Sequence, residues 1–237
     1  MIIIVIPTYN ERENIKGLIQ AIFRMNIPDL NVITVDDNSP DGTADEVEEL
    51  SQVYPVSLIK RPCKRGIGSA YIVGFKKALS MEADLIAQMD ADFSHNPSDL
   101  LRMIEAAQTA DLVIGSRKIR HGRIEGWNWT RKFMSNGAMW FARFLLGLRA
   151  KDVTSGFRIF RRKVLTNINL DAVKSDGYAF QEEMLWLVEK AGYTVKELPV
   201  VFVDRKRGAS KLNNKDIFEF FSVMLKLKFT RTFAWKK

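Results

Sequence analysis

Two aspartates, one residue apart, follow a strongly apolar run of the sequence. Asp90 and Asp92 come directly after residues 85–89, a run that is typical of a buried strand. In the turn that ends such a strand both carboxylates can approach one hard cation, and Mg²⁺ usually takes one or two carboxylates together with substrate phosphates. The spacing alone is also found in solvated turns. Its position after an apolar strand favours a site for Mg²⁺ or Mn²⁺, with Asp90 and Asp92 as metal ligands.

Two further polar clusters follow apolar runs. Residues 7–11 read Pro-Thr-Tyr-Asn-Glu, and residues 36–43 read Asp-Asp-Asn-Ser-Pro-Asp-Gly-Thr. Turn formation and helix capping explain several of these residues, but they do not explain the Asp pair. An aromatic ring and carboxylates at such places suit the base and the ribose of a nucleoside.

The elements that must position these residues alternate along the chain. Apolar runs of strand length are separated by segments of helical periodicity, which predicts an α/β fold with a Rossmann-like, mostly parallel sheet flanked by helices. The carboxyl ends of the strands in such a sheet form the ligand-binding edge, so the three polar clusters are expected to meet there. The predicted strands are 2–6, 32–36, 56–60, 84–89, 112–115, 156–160 and 194–203, and the predicted helices are 11–25, 43–53, 66–81, 97–109, 129–146, 161–167, 181–191 and 215–229.

Length and composition narrow the class of protein. No linker rich in Pro, Gly or Ser divides the 237 residues, so we expect one domain over residues 1–237. The net charge of +8 indicates an anionic partner. The single cysteine, Cys63, fits a reducing compartment, and residues 2–6 are interpreted as a first buried strand, not as a signal peptide.

Two segments combine aromatic and basic residues. They are predicted to form helices over 129–146 and 215–235, and no apolar run reaches the roughly 18 residues that span a bilayer. Each helix either packs on the core or rests in the headgroup layer of a membrane, where Trp and cationic residues are favoured together.

Several kinds of site are poorly supported. The chain has no phosphate-binding loop of the G-x-x-x-x-G-K-[ST] type, and residues 66–70 lack the third glycine of a dinucleotide fingerprint.

A basic protein that only binds membrane or nucleic acid is an alternative. It does not explain the acidic strand ends, which would repel phosphate in the absence of a metal, so no nucleic-acid partner is expected.

Together these segments resemble a known family. The chain is similar to inverting glycosyltransferases with the A-type nucleotide-sugar fold, and within them to the polyprenyl-phosphate sugar synthases of the dolichyl-phosphate mannosyltransferase type. The matching segments, in family order, are 7–14, 35–43, 90–95, 115–117, 155–158 and 208–211.

The resemblance implies a role for each site residue. For the donor, it implies that Pro7, Tyr9, Glu11 and Asp37 contact the nucleoside, that Asp90 and Asp92 hold the metal, and that Gln181 and Glu183 face the sugar. For the acceptor, it implies that Arg117, Arg131 and Ser135 grip the phosphate. Arg205 and Lys211 are implied to close over the diphosphate.

The resemblance also implies a reaction. Mannose would pass from GDP-mannose to dolichyl or another polyprenyl phosphate in a single metal-dependent displacement, with Asp92, Arg117, Arg131 and Lys211 as the catalytic group. The enzyme would work peripherally at the cytoplasmic face of a membrane, alone or with a membrane-embedded partner subunit. UDP-glucose or another donor, and a carbohydrate acceptor with Glu183 as base, are the alternatives.

Overall fold

The computed structural model describes residues 1–173, 175, 177, 179–204 and 214–229, and the side chains of all of these except 214–219. The predicted elements are present within a few residues of their expected bounds, with the exceptions given below. Residues 230–235 of the helix predicted over 215–235 lie outside the described residues. The strands are β1 Ile2–Thr8, β2 Leu30–Asp36, β3 Val56–Lys60, β4 Leu85–Gln88, β5 Leu112–Ser116, β6 Arg123–Glu125, β7 Arg158–Arg161, β8 Val195–Pro199 and β9 Val201–Val203. The helices are α1 Arg12–Phe23, α2 Thr43–Ser51, α3 Ile67–Ser80, α4 Asp99–Ala106, α5 Trp129–Leu146, α6 Arg162–Asn167, α7 Phe180–Lys190 and α8 Asn214–Phe229, with a 3-10 turn at Leu170–Ala172.

Seven of the described strands form one mostly parallel sheet, which confirms the predicted fold class. Their order is β3-β2-β1-β4-β7-β5-β8. Both faces of this sheet are covered, as parallel sheets require. In β1 the fully buried Ile3 and Val5 pack into one core cluster, and the fully buried Ile4 and Ile6 pack into the other.

One strand of the sheet runs against the others. β7 lies between β4 and β5 and is antiparallel to both. Its first residue therefore lies at the edge where the parallel strands end. The segment before it, residues 152–157, is brought to the same edge, although it is distant in sequence from the three polar clusters.

The last predicted strand is divided, which corrects the prediction of one strand over 194–203. β8 pairs with β5 in the main sheet, whereas β9 pairs with β6 in a second, two-stranded sheet. The break lies at Val200, whose backbone amide donates to the carbonyl of Ser116 (3.0 Å). The three-residue strand β6 was not predicted, because so short a strand shows no periodicity.

Among the described residues, no helix is both long enough and apolar enough to cross a membrane.

Candidate active site

Asp90 and Asp92 lie in the turn that leaves the carboxyl end of β4. Asp90 Oδ1 accepts a hydrogen bond from the Tyr71 hydroxyl (3.0 Å), and Asp92 Oδ1 accepts one from the backbone amide of Ser94 (3.0 Å). Directly after Asp92 the chain turns sharply, and Phe93 has a positive φ of 60°. Burial, reinforced by the Asp90 charge, raises the pKa of Tyr71 well above its usual value. The phenol therefore stays protonated and donates to the carboxylate.

The residues around this turn fit a divalent cation. A Cβ at Gly156 would lie 3.4 Å from both carboxylate oxygens of Asp90, so the glycine leaves that side of the carboxylate open. The buried hydroxyl of Ser94 has no hydrogen-bond partner within the described residues. Across all the described residues, no three His, Cys, Asp or Glu side chains lie close enough together to form a metal-binding group by themselves. A two-carboxylate site of this kind suits Mg²⁺ or Mn²⁺ completed by phosphate oxygens from a substrate.

The tips of β1 and β2 are bonded to each other. Asp36 accepts hydrogen bonds from the Thr8 hydroxyl (2.8 Å), the Ser39 amide (2.8 Å) and the Ser39 hydroxyl (2.6 Å). The Glu11 amide donates to the Thr43 hydroxyl (2.9 Å). Asp36 is therefore a structural residue that holds the two tips together.

Asp37 is held by a residue that the sequence analysis missed. The buried guanidinium of Arg61 donates from Nε to Asp37, from Nη1 to the Ser69 hydroxyl (2.7 Å) and from Nη2 to the Gly66 carbonyl (3.2 Å). The amide of Arg65 donates to the second Asp37 oxygen (3.3 Å). Arg61 therefore compensates the charge of Asp37 and fastens residues 61–69 to the tip of β2. Its position directly after β3 was the signal that could have identified it.

The residues predicted to contact a nucleoside lie around the bonded tips of β1 and β2. The Lys64 ammonium nitrogen lies 4.0 Å from the centre of the Tyr9 ring, a cation–π distance. The Glu11 carboxylate accepts a hydrogen bond from the side-chain amide of Asn14 (2.8 Å). Pro7, one residue before the end of β1, is half-buried. An aromatic face, a cation and carboxylates are thus placed at adjacent strand ends.

Arg117 is part of a buried ion pair. It donates to Asp152 from the backbone amide (2.8 Å), Nε (2.7 Å) and Nη2 (2.6 Å), and Nη2 also donates to the Thr154 hydroxyl (2.6 Å). Burial by itself would raise the pKa of Asp152, but the Arg117 charge and its hydrogen bonds outweigh that effect and lower the pKa. The predicted contact of Arg117 with a substrate phosphate stays a prediction, and the structure adds Asp152 as the residue that orients it.

Arg131 and Ser135 lie one turn apart at the start of α5. Arg131 Nη1 donates to Asp204 (2.8 Å), and its guanidinium lies 4.1 Å from the Trp127 ring centre. The ring of Phe202 contacts both the Trp127 ring (5.8 Å) and the Arg117 guanidinium (5.4 Å). Two arginines predicted to bind one phosphate therefore flank one aromatic pair.

The first turn of α7 presents three buried polar residues. Gln181 Oε1 accepts a hydrogen bond from the side-chain amide of Gln88 (2.8 Å), and Glu183 Oε2 accepts one from the backbone amide of Ser175 (3.0 Å). Glu182 is fully buried, and its Oε2 has no hydrogen-bond partner within the described residues. Burial raises the pKa of Glu182 to about 8, although the nearby buried Arg158 opposes the shift.

The pKa of Glu182 makes the stability of the fold depend on pH. The folded chain retains a proton that an unfolded chain, with an ordinary pKa of 4.5, releases. Wild-type stability should therefore fall as pH rises between these two pKa values, by up to about 1.4 kcal/mol per pH unit. A Glu182→Gln variant lacks this titration. Its melting temperature relative to the wild type should be similar near pH 5 and clearly higher at pH 8, and an offset that does not change with pH would contradict the assignment.

Arg205 and Lys211 lie outside the described residues, so their predicted place over a diphosphate stays a prediction.

Comparison with known proteins gives consistent matches. Residues 3–168 match the family described as Glycosyl transferase family 2. A polyprenol monophosphomannose synthase from Mycolicibacterium smegmatis is 40% identical over 220 residues, which cover 92% of this chain and 83% of that protein. An undecaprenyl-phosphate mannosyltransferase from Micrococcus luteus is 41% identical over 213 residues, which cover 90% of this chain and 87% of that protein.

A solved structure shares the fold. Glucosyl-3-phosphoglycerate synthase from Mycobacterium tuberculosis, crystallised with Mn²⁺, UDP and glucosyl-3-phosphoglycerate, superposes with a TM-score of 0.68 at 17% identity. The match covers 96% of this chain and 78% of that one. At 17% identity this match shows that the two proteins share a fold.

Proposed function

This chain belongs to glycosyl transferase family 2 and is a glycosyltransferase, and from that premise we propose that it transfers mannose from GDP-mannose to a polyprenyl phosphate such as dolichyl phosphate. The observation that carries the proposal is the pair of regions with cationic side chains beside aromatic rings, one on either side of the carboxylate turn. A nucleoside-type edge with Tyr9 and Lys64 lies towards β1 and β2, and the two arginines around Phe202 lie towards β5 and α5. The two relatives, named for mannose transfer to polyprenol phosphates, support the choice of sugar and acceptor.

The donor would lie with its nucleoside against the tips of β1 and β2. Tyr9 offers a ring face, and Pro7, Glu11 and Asp37 offer the surrounding contacts. Because Arg61 already compensates Asp37, that carboxylate can accept from a ribose hydroxyl or a base N–H without placing an uncompensated charge beside the diphosphate.

Asp90 and Asp92 would hold Mg²⁺ or Mn²⁺ next to the diphosphate. When bound, the cation neutralises charge that develops on the departing diphosphate. Arg205 and Lys211 would add donors to the same group. On the sugar side, Gln181 and Glu183 would orient the mannose, since both are held rigidly by Gln88 and Ser175.

The acceptor would need orientation more than activation. A phosphate monoester carries about −1.5 to −2 charges near neutral pH, so its oxygen is already a nucleophile and no general base is required. Arg117, Arg131 and Ser135 would align that oxygen with the anomeric carbon, because a guanidinium holds phosphate oxygens in a fixed geometry. Attack in one displacement inverts the anomeric configuration. Catalysis then comes from positioning and charge stabilisation.

A donor and acceptor panel tests this proposal. Labelled GDP-mannose, UDP-glucose and other nucleotide sugars are each offered with a polyprenyl phosphate and with free sugars, in Mg²⁺, Mn²⁺ or a chelator. The proposal expects a lipid-phosphate product from GDP-mannose that requires the metal. A product only from UDP-glucose, or only on a free sugar with Glu183 as base, would replace it with those alternatives.

A water-insoluble acceptor requires contact with a membrane, and α5 offers a surface for it. Trp129, Phe133, Trp140 and Phe144 recur at helical spacing on the face opposite the buried residues of the helix, and Trp140 and Phe144 are 66% and 76% exposed. The ring of Phe141 packs on Phe221 of α8. Leu225 and Phe229 lie four and eight residues after Phe221 in α8 and are also exposed, so we include them in this apolar surface. We propose that it rests in the headgroup layer at the cytoplasmic face, where exposed lysines such as Lys132 add about 1 kcal/mol each on an anionic leaflet. A membrane-embedded partner subunit would use the same surface.

Replacing two of these aromatic residues should release the chain from vesicles. We expect the Trp140→Ser/Phe144→Ser variant to lose most of its flotation with anionic phospholipid vesicles at low salt, since each buried aromatic contributes about 1.5–3 kcal/mol. The matched control is Val53→Ser/Leu101→Ser, which removes two exposed apolar side chains from elsewhere on the surface. Equal flotation of the two variants would contradict the assignment of this surface.

A further inference from the structure

The carboxylate of Asp90 lies between two buried side chains that can both donate to it. Its Oδ1 accepts the hydrogen bond from Tyr71, and its Oδ2 faces Nε2 of His95 at 3.5 Å. Tyr71 is completely buried and His95 is 1% exposed. Asp90 itself is partly exposed, with 31% of its side chain accessible. The donors are thus inside the fold, and the carboxylate forms the boundary between them and the open side of the site.

His95 is unusual because neither of its ring nitrogens has a hydrogen-bond partner within the described residues. Buried polar groups are nearly always paired, and an exception requires an explanation. The charged oxygen that His95 faces is Oδ2 of Asp90. Hydrogen bonds at reaction centres are often long before ligands bind and tighten in the complex.

Both donor rings are locked by aromatic neighbours. The His95 ring is stacked on Phe157, with centroids 5.0 Å apart, and meets the edge of Phe202 at 5.5 Å. The Tyr71 ring is stacked on Phe180 with centroids 5.8 Å apart and planes within 8°. Neither ring can follow the carboxylate, so the carboxylate must adapt to the two donors.

We propose that Tyr71 and His95 are positioning residues for the divalent cation, which set the orientation of the Asp90 carboxylate from its two sides. With the cation bound, His95 would donate from Nε2 to Oδ2 while Tyr71 keeps its hydrogen bond to Oδ1. The remaining lone pairs would then be directed at the open side beside Gly156. Residues that orient metal ligands in this way typically change metal affinity by about 10–100-fold when they are lost. This inference rests on the metal dependence in the proposed function.

Mn²⁺ binding, followed by electron paramagnetic resonance of the free ion, measures the effect without turnover. Mn²⁺ is titrated into the full chain with GDP, and separately with UDP. His95→Phe keeps the stacked ring and removes the donor, whereas His95→Gln returns an N–H near the position of Nε2. Tyr71→Phe removes the other donor, and Tyr193→Phe, at a half-buried tyrosine that bonds to Asn167, is the matched control.

We expect the Mn²⁺ dissociation constant to rise about 10–100-fold in His95→Phe and in Tyr71→Phe, and to return most of the way to the wild-type value in His95→Gln. The metal-free melting temperature of His95→Phe should not fall, because the change removes an unpaired polar group from the interior. Wild-type Mn²⁺ affinity in His95→Phe, or an equal loss of affinity in His95→Gln and His95→Phe, would overturn this inference and leave the proposed function unaffected. If His95→Phe does not fold, the other two variants decide. Wild-type Mn²⁺ affinity in Tyr71→Phe, or a loss of affinity of about 10–100-fold in His95→Gln, would then overturn the inference. A wild-type chain that binds no Mn²⁺ with either nucleotide would overturn the metal dependence as well.

Discussion

Replacing Asp92 by Asn is expected to reduce sugar transfer by roughly 10³-fold, the size of effect seen when one essential electrostatic contact is removed from a reaction centre. The carboxylate supplies charge for the cation, and an amide of the same shape does not. The fold should survive, because the Asn side-chain oxygen can still accept the hydrogen bond that Ser94 donates to Oδ1. Transfer of labelled mannose to a polyprenyl phosphate, measured over a range of Mn²⁺ concentrations, checks the prediction.

An exposed aspartate provides the control for this substitution. Asp45 lies in the first turn of α2, is exposed and is distant in sequence from the carboxylate turn. Asp45→Asn should retain wild-type activity, and both variants should melt within a few degrees of the wild type without metal. Activity in Asp92→Asn that remains within a few-fold of the control would remove Asp92 from the metal site.

The sequence allowed the polar strand ends to be placed at one edge of the sheet, because that placement follows from the pattern of residues alone. Apolar runs that end in polar turns predict parallel strands, and parallel strands bring their carboxyl ends to one edge. Tyr9, Asp37 and Asp90 were therefore expected at one edge before any contact was known. The basic-aromatic pattern of α5 was equally visible, but periodicity cannot distinguish a buried face from an exposed one.

Partner choice within that edge could not be predicted. Asp36 and Asp37 are identical in type and adjacent at a strand end, yet Asp36 ties β1 to β2 whereas Asp37 pairs with Arg61. The difference depends on β1 being the neighbour of β2, which is a property of the sheet order. Asp152 was missed for a related reason. Only the antiparallel insertion of β7 brings it next to Arg117, 35 residues earlier in the chain.

The Arg117–Asp152 pair leads to the second prediction of large effect. Asp152 is fully buried and accepts three hydrogen bonds from Arg117. Asp152→Asn should lower the free energy of unfolding by about 3–5 kcal/mol, because removal of one partner leaves the other charge buried and uncompensated. Urea unfolding at pH 7 measures the loss. The same variant should weaken the use of the acceptor phosphate, since the Arg117 guanidinium is no longer held in one orientation.

A double-mutant cycle separates these two effects. In Arg117→Met/Asp152→Asn no uncompensated charge remains, so the double variant should be more stable than Asp152→Asn alone. It should nevertheless stay poorly active with the lipid phosphate, because the guanidinium is absent. Recovery of stability without recovery of activity would assign Asp152 to positioning and Arg117 to the phosphate contact. Additive losses of stability would show that the two side chains do not act as a pair. Normal transfer by the double variant would mean that the acceptor phosphate is bound elsewhere, with Arg131 as the next residue to test.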